Sequence, residues 1–304
     1  MALGIMLNSQ FVAETKSLSI ENSNEEQLFK ALNRAFENLS AYKLVACQVI
    51  HGAKHFVSFD EMPDHPAFFV KDRGVNVKCE LSDLLIISVN QREMRVCCLQ
   101  NKYERKKPGF KFKITDSFKA DMRQFYLLNK RPLFEKSGKT SSLLRDAICP
   151  SIGAYGVFHR DKEQFDMNYY SASILECLRK DLFGRSRHLR MNHDEPATVS
   201  RKSPTGEIFS EQQYSDGIID FGNALEKMLI GTPRSLGEGL TALGDIDIVD
   251  AAAEILKNNS ADLSGIRQAV RNSPQVISYR TAIVIRGSEN NMNNTDIGQL
   301  WWLR

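Results

Sequence analysis

The chain has 304 residues, of which 42% are hydrophobic and 25% are charged, and its formal net charge is +3. These values are typical of a globular protein that buries a core without disulfides or metals. No apolar run of about 18 residues occurs, and the first residues lack a basic region followed by a long apolar stretch. The sequence therefore predicts neither a membrane protein, nor a secretory signal, nor a secreted disulfide scaffold, nor a disordered chain.

The first clear element is an amphipathic segment over residues 22–42, where apolar side chains recur at helical spacing. Asn24 or Ser23 can cap this helix, and acidic residues in its first turn stabilise it further. Residues 43–50 follow as an apolar, strand-like run. The chain thus opens with a helix and then a strand.

The next elements are two long strands over residues 75–104, joined by a polar turn at 90–93. A helix is predicted over residues 117–130, because its apolar residues also recur at helical spacing. The remaining segments are strands at 151–160 and 275–287, helices at 171–184, 218–230, 245–258 and 261–273, and a polar linker or mobile loop at 192–207.

Basic residues cluster in one part of the chain. Between residues 100 and 136 there are eleven Lys and Arg residues against four acids, and a second basic stretch covers 179–190. Such clustering is the electrostatic pattern expected of a nucleic-acid-binding surface. A solvated surface balanced by acids elsewhere is the alternative interpretation.

The six cysteines form no CxxC pair and have no histidine at zinc-binding spacing. We therefore expect reduced, buried thiols, as in a cytoplasmic protein. Cys97 and Cys98 are adjacent in a predicted strand, so their side chains should point to opposite faces of the sheet.

The predicted hairpin brings polar residues together. If its turn is centred between Gln91 and Arg92, the numbers of paired residues sum to 183, and Asp83 lies opposite Gln100. Lys102 is two residues further along and shares the face of Gln100. A slip of the register by one residue would separate Asp83 from the other two.

Asp83 and Lys102 need a physical explanation, because apolar residues surround both of them in the sequence. A buried carboxylate or ammonium group is costly unless it is paired or bound to a metal. The simpler interpretation is that both residues lie near strand ends, where they reach solvent or form an ordinary salt bridge.

Asp83 followed by a turn and then by Gln100-x-Lys102 resembles the active-site hairpin of the PD-(D/E)XK nucleases. It is most similar to the branch in which Gln replaces the second acid, as in Mrr-like restriction enzymes. The resemblance covers about residues 22–160, with the helix 22–42 matching the helix that opens this fold.

Two positions depart from the pattern of this superfamily. Ser82 precedes Asp83 where the motif has Pro, and Leu128 stands where the Gln-centred motif of RecB-like members usually has Tyr. Gln124 in the predicted helix 117–130 is similar to the Gln of that motif.

The resemblance implies a Mg²⁺ or Mn²⁺ ion, since phosphodiester cleavage uses a metal that polarises the phosphate and activates water. Asp83 would be the main ligand, with the Gln100 amide oxygen and the Asn101 carbonyl completing the shell. Lys102 would orient the attacking water or stabilise charge in the transition state. Gln carries no charge, so the site would bind its metal more weakly than one with two acids.

The candidates for an additional acid are Glu26, Glu37 and Glu80. Glu80 is three residues before Asp83, so it reaches the same face only if the strand is irregular; a structural role is the favoured alternative. The residues expected to contact DNA are Arg105, Lys106, Lys107, Lys111, Lys113, Arg123 and Gln124.

The sequence therefore predicts an α/β (α+β) fold with a restriction-endonuclease-like mixed central sheet, flanking helices and a mostly helical C-terminal part. We expect a nuclease domain at 1–191, and at 205–304 a mixed α/β region for contact with a partner subunit or homo-oligomerisation. The expected function is that of a cytoplasmic, Mg²⁺-dependent DNA endonuclease, the effector subunit of a bacterial anti-phage defence or restriction system.

Two alternatives remain open at this point. The first is a catalytically inactive nuclease-fold module that binds nucleic acid or scaffolds a complex. The second is a metabolic α/β enzyme in which the spacing of Asp83, Gln100 and Lys102 is a coincidence. The absence of glycine-rich phosphate-binding motifs counts against this second alternative.

Overall fold

The computed structural model describes residues 2–19, 21–49, 56–60, 77–104, 117–136, 138–178, 186–192, 194–256, 263–272 and 279–288. The helices in these ranges are α1 (Leu3–Thr15), α2 (Glu25–Ser40), α3 (Met122–Lys130), α4 (Ile218–Glu226), α5 (Leu236–Leu243), α6 (Ile246–Ile255) and α7 (Leu263–Arg271). Short 3-10 helices occur at Pro150–Ile152 and Ala172–Ile174.

The strands are β1 (Val45–Val49), β2 (Phe56–Phe59), β3 (Val77–Glu80), β4 (Leu84–Val89), β5 (Glu93–Glu104), β6 (Ser117–Asp121), β7 (Phe134–Lys136), β8 (Lys139–Ser141), β9 (Gly153–Asp161), β10 (Gln164–Ser171), β11 (Leu175–Cys177), β12 (Ser186–Met191), β13 (Thr198–Lys202), β14 (Ile208–Gln212), β15 (Tyr214–Ser215), β16 (Thr232–Ser235) and β17 (Thr281–Arg286).

Eight of these strands form one mixed sheet in the order β1-β17-β4-β5-β9-β10-β15, with β16 pairing beside the start of β5. The pairs β17–β4 and β5–β9 are parallel, and the other pairs in the sheet are antiparallel. The parallel pair β5–β9 requires a crossover, and α3 lies in that connection. The prediction of a mixed central sheet in an α/β fold is confirmed.

Helices cover both faces of this sheet. One core contains Phe125 of α3, Leu240 of α5 and Ile248 of α6, and we call this side the α3 face. The other core contains residues of α1, α2 and α4, and we call this side the α2 face. Cys97 and Cys98 point to opposite faces, as predicted, with Cys98 in the core of the α3 face and Cys97 in that of the α2 face. The fold is therefore a three-layer α/β/α arrangement.

The predicted helix over 22–42 is α2, and its start follows from local chemistry. The Asn24 side chain accepts a hydrogen bond from the Gln27 N–H, and the Gln27 side chain accepts one from the Asn24 N–H. This capping box satisfies two N–H groups that a helix start leaves without partners. The apolar side of the helix then packs into the core of the α2 face.

The first strand of the predicted hairpin is not continuous. Residues 77–80 form β3, which pairs with β2 in a separate four-stranded sheet ordered β3-β2-β7-β8. After a break at 81–83 the chain enters the central sheet as β4. The expectation of one strand was wrong because this segment passes between two sheets, and both halves are apolar enough to be buried.

Two segments predicted to be helices contain strands. Residues 117–121 form β6, and the helix α3 starts only after Asp121, whose side chain accepts the Arg123 N–H. In the segment 171–184, a 3-10 turn is followed by β11. Both β6 and β11 pair with β12, so pairing with another strand overrides the local helical pattern. Residues 179–185 lie outside the described part of the chain.

The region predicted to form a separate C-terminal part supplies strands to the central sheet. The predicted strand at 275–287 appears as β17, which lies between β1 and β4, and β15 and β16 join the same sheet. The predicted helices at 218–230, 245–258 and 261–273 are α4, α6 and α7. The expected boundary between residues 191 and 205 therefore runs through one continuous sheet.

In the polar stretch 192–207, β13 forms a two-stranded antiparallel ribbon with β14. Among the described helices, none is long and apolar enough to cross a membrane.

Candidate active site

The hairpin β4–β5 has the register predicted from its turn. The observed pairs run from Leu84 with Leu99 to Val89 with Met94, so paired residue numbers sum to 183. β4 begins at Leu84, whereas β5 continues past Leu99 to Glu104. Asp83 immediately precedes β4. It lies beside the part of β5 that continues past Leu99, the last β5 residue paired with β4.

The Asp83 carboxylate is buried, with 4% of the residue exposed. Its Oδ2 atom accepts hydrogen bonds from Gln100 Nε2 at 2.5 Å and from the Asn101 backbone N–H at 2.9 Å. Burial raises the pKa of Asp83 to about 6, while the positive charge of Lys102 and the Asn101 N–H oppose this rise. The site therefore holds a carboxyl group whose ionisation falls near neutral pH.

Gln100 connects Asp83 to α3. Its Oε1 atom accepts a hydrogen bond from Gln124 Nε2 at 2.6 Å, and Gln124 also donates to the Glu80 carbonyl at 3.3 Å. Gln100 and Gln124 are both buried. The chain of contacts from Gln124 through Gln100 to Asp83 fixes the direction of the Gln100 amide, with its nitrogen toward the carboxylate and its oxygen toward α3.

Lys102 lies two residues beyond Gln100 and is 14% exposed. Its Nζ atom is 3.4 Å from Glu25 Oε1 at the start of α2. Its positive charge also lowers the pKa of Asp83. Lys102 is thus held between the hairpin and the first turn of α2.

The three candidates for an additional acid occupy different places. Glu26 pairs with Lys30 at 2.7 Å on the exposed side of α2. Glu37 is exposed near the other end of that helix, ~18 Å along the axis from Glu25 at 1.5 Å per residue. Glu80 is the one that reaches the site, because the break at 81–83 supplies the irregularity that a regular strand lacks.

Glu80 and Asp83 share one cation, the guanidinium of Arg280. Arg280 NH2 donates to Glu80 Oε1 at 2.6 Å, and Arg280 Nε lies 3.5 Å from Asp83 Oδ1. Arg280 precedes β17, and the backbone N–H of Thr281 donates to the Asp83 carbonyl at 3.1 Å. The sequence indicated a strand here, but gave no sign that it lies beside β4, so Arg280 was missed. Glu25 lies in the predicted opening helix, but it was not among the candidate acids of the site.

Most of the residues expected to contact DNA fall outside the described part of the chain. Arg105, Lys106, Lys107, Lys111 and Lys113 all belong to the segment 105–116. This segment follows the end of β5 at Glu104, three residues after Lys102. Arg123 is half-buried in the first turn of α3, and Gln124 contacts Gln100 as described above.

Within the described ranges, no group of three or more His, Cys, Asp and Glu side chains is placed to hold a metal ion. Two carboxylates of the site, those of Asp83 and Glu80, both contact Arg280. Any metal at this position would therefore need amide, carbonyl, water or phosphate oxygens in addition to the carboxylates.

Comparison with known proteins finds no matching family model, no matching curated protein and no matching solved structure. The geometry around Asp83 is therefore the basis for a functional interpretation.

Proposed function

We propose that Asp83, Gln100 and Lys102 form the active site of a metal-dependent endonuclease that hydrolyses DNA phosphodiester bonds. The observation that carries this proposal is the contact of Gln100 with Asp83 in the register expected for a PD-(D/E)XK-type hairpin, with Lys102 two residues beyond Gln100 in the same strand. Gln124 of α3 adds a further feature of that pattern by bonding to Gln100.

The oxygen donors of the site fit a Mg²⁺ or Mn²⁺ ion. Asp83 and Glu80 offer two carboxylates that already bind one shared cation. In a strand, the N–H and C=O of one residue point to the same edge, so the Asn101 carbonyl lies on the edge where its N–H bonds to Asp83. The Gln100 oxygen would join this set only after its amide turns away from Gln124.

A divalent cation held by these oxygens would polarise the scissile phosphate and lower the pKa of a bound water. The chain's own contribution is positioning and charge. Lys102 is mostly buried, its ammonium group contacts Glu25, and its charge acts on Asp83. From this position it can orient an attacking water or stabilise the negative charge that develops on the phosphate.

A second candidate function is supported by the pairing of Asp83 in the free protein. Its carboxylate has partners in Gln100, Asn101 and Arg280, so it is satisfied without a metal. This is what a catalytically inactive module that binds nucleic acid or scaffolds a complex would show. Such a module would retain DNA binding in EDTA and would not cleave with any divalent cation.

The test is an assay on supercoiled plasmid with the purified protein in Mg²⁺, Mn²⁺ or EDTA, with DNA binding measured in parallel. The endonuclease proposal expects nicked or linear product with the metals and none with EDTA. Binding without cleavage in all three conditions would identify the inactive module. If the protein neither binds nor cleaves DNA, the metabolic α/β enzyme becomes the favoured interpretation.

We also propose that the protein acts in the cytoplasm as the effector of a bacterial anti-phage defence or restriction system. The support is the resemblance to restriction enzymes together with reduced cysteines at all six positions. In this proposal a partner subunit or a second copy of the chain supplies regulation. Size-exclusion chromatography with light scattering, alone and with co-expressed neighbours, would measure its assembly.

A further inference from the structure

Arg280 is the charged residue of the site for which the proposed reaction has no role so far. Its guanidinium lies between Glu80 and Asp83, the two carboxylates that the proposal gives to a metal. A side chain with a fixed positive charge thus occupies the position between them. A divalent cation and this guanidinium compete for the same two carboxylates.

The Arg280 side chain can reach both the two carboxylates and the solvent. Its side chain is 42% exposed, so solvent already reaches part of it. Its backbone is held in place, because the following N–H of Thr281 bonds to the Asp83 carbonyl. The side chain can therefore leave the carboxylates by rotation while its Cα stays beside the site.

The charges of the site favour such a movement when a cation binds. Two positive groups a few ångströms apart in a partly buried site repel each other strongly. A divalent cation at Asp83 and Glu80 would therefore displace the guanidinium toward solvent. A DNA phosphate approaching the same carboxylates brings negative charge, and a guanidinium binds phosphate through two parallel hydrogen bonds.

We propose that Arg280 is an exchangeable cation of this site, which pairs with Glu80 and Asp83 in the free protein and binds the DNA phosphate once a divalent cation replaces it. This inference rests on the proposed nuclease function. It adds one residue to the site and explains how two carboxylates remain paired in the absence of metal.

The experiment measures Mn²⁺ binding by calorimetry and plasmid cleavage for the wild type, Arg280→Ala, Arg280→Lys and Arg286→Ala. Arg286 is an exposed arginine at the other end of β17 and serves as the matched control. Thermal unfolding without metal reports whether each variant is folded. Arg280→Lys keeps a positive charge beside Glu80, so it remains informative if Arg280→Ala does not fold.

Removing the competing guanidinium should tighten Mn²⁺ binding by about tenfold, while cleavage at saturating Mn²⁺ falls by about tenfold or more. Arg280→Lys should change both quantities in the same directions, and Arg286→Ala should match the wild type. If the wild type does not bind Mn²⁺ but an Arg280 variant does, the competition is also supported.

Two other outcomes separate this inference from the function on which it rests. If the wild type binds Mn²⁺ and cleaves DNA, and the Arg280 variants do both equally well, Arg280 is not an exchangeable cation although the nuclease stands. If none of the four proteins binds Mn²⁺ or cleaves plasmid, the nuclease proposal and this inference both fail.

Discussion

Gln100 donates its side-chain N–H to the carboxylate of Asp83 across the hairpin, although 17 residues separate them in the chain. The contact depends on the two-residue turn, because a shift of one residue would turn Gln100 to the other face of the sheet. The same side chain receives a hydrogen bond from Gln124. Gln100 therefore couples Asp83, whose carboxyl pKa is raised by burial, to α3.

The first prediction concerns the charged pair of the proposed site. Asp83→Asn and Lys102→Ala should each lower Mg²⁺-dependent plasmid cleavage by about 100-fold or more. The first removes a charged ligand of the proposed metal, and the second removes the cation proposed to stabilise charge on the phosphate. Lys119→Ala is a suitable control, since Lys119 is exposed on β6. Wild-type cleavage rates for both site variants would place the activity elsewhere in the preparation.

The second prediction concerns the residue that replaces the usual second acid. Gln100→Glu adds a negative charge beside Asp83, so it should lower the Mg²⁺ concentration that gives half-maximal activity, without necessarily raising the maximal rate. Gln100→Ala should raise that concentration. Gln100 is 2% exposed, so the Glu variant should also be less stable without metal. An identical half-saturating concentration in all three proteins would remove residue 100 from the metal site.

The third prediction tests the contact between α3 and the hairpin. Gln124→Met keeps the size of the side chain but leaves the buried Gln100 oxygen without its donor, which should cost ~1–3 kcal/mol of unfolding free energy. Gln268→Met on α7 is the control, because Gln268 is an exposed helical residue. Urea denaturation measures both. Equal midpoints for the two variants would show that the Gln124 contact contributes nothing to stability.

The fourth prediction is a pH dependence of stability in the absence of metal. The pKa of Asp83 is about 6 in the folded protein, against 3.8 for an unperturbed Asp, because burial disfavours the charged form. The folded state thus holds its proton to higher pH, so ionising Asp83 lowers the unfolding free energy as pH rises from about 4 to about 6, by ~3 kcal/mol. Above about pH 6, Asp83 is ionised in both the folded and the unfolded state, so its contribution to the unfolding free energy no longer changes with pH.

Asp83→Asn removes this ionisation. The difference in unfolding free energy between the wild type and Asp83→Asn should therefore change in favour of the variant between pH 4 and pH 6 and then stay constant. Urea denaturation in EDTA at several pH values measures it. A difference that does not vary with pH would mean that Asp83 ionises as it does in an unfolded chain.

The fifth prediction tests whether the sheet is one cooperative unit. Ile283→Ala in β17 should cost ~2–5 kcal/mol, because the residue is fully buried in a strand with neighbours on both sides. Ile208→Ala is the control, since Ile208 is 60% exposed. We expect a single unfolding transition in both variants. If Ile283→Ala produced two transitions, with residues 1–191 unfolding at the wild-type midpoint, the sheet would not be a unit.

Local chemistry accounts for the parts of the molecule that were predicted from sequence. The capping residues around Asn24 define the start of α2, and the two-residue turn defines the register that places Asp83 opposite Gln100. In both cases the residues that decide the structure are near each other in the chain, so the pattern can be read directly.

The missed parts depend on partners far away in the chain. Residues 117–121 are a strand because β12 lies beside them, and the sequence of β6 alone does not reveal that neighbour. Arg280 joins the site because β17 runs parallel to β4, a pairing between segments about 200 residues apart that leaves no local pattern. The hairpin half of the site was therefore predictable, and the Arg280 half was not.

The position of β17 also determines when the central sheet can be completed during synthesis. The ribosome finishes the hairpin β4–β5 early, yet the strand that fills the place between β1 and β4 emerges only with residues 281–286. Until then β4 exposes an unpaired edge, which other chains can pair with. A chain interrupted before residue 280 would contain Asp83, Gln100 and Lys102, but it would lack the guanidinium that holds Asp83 and Glu80 together. The full charge network can therefore form only after nearly the whole described chain has been translated.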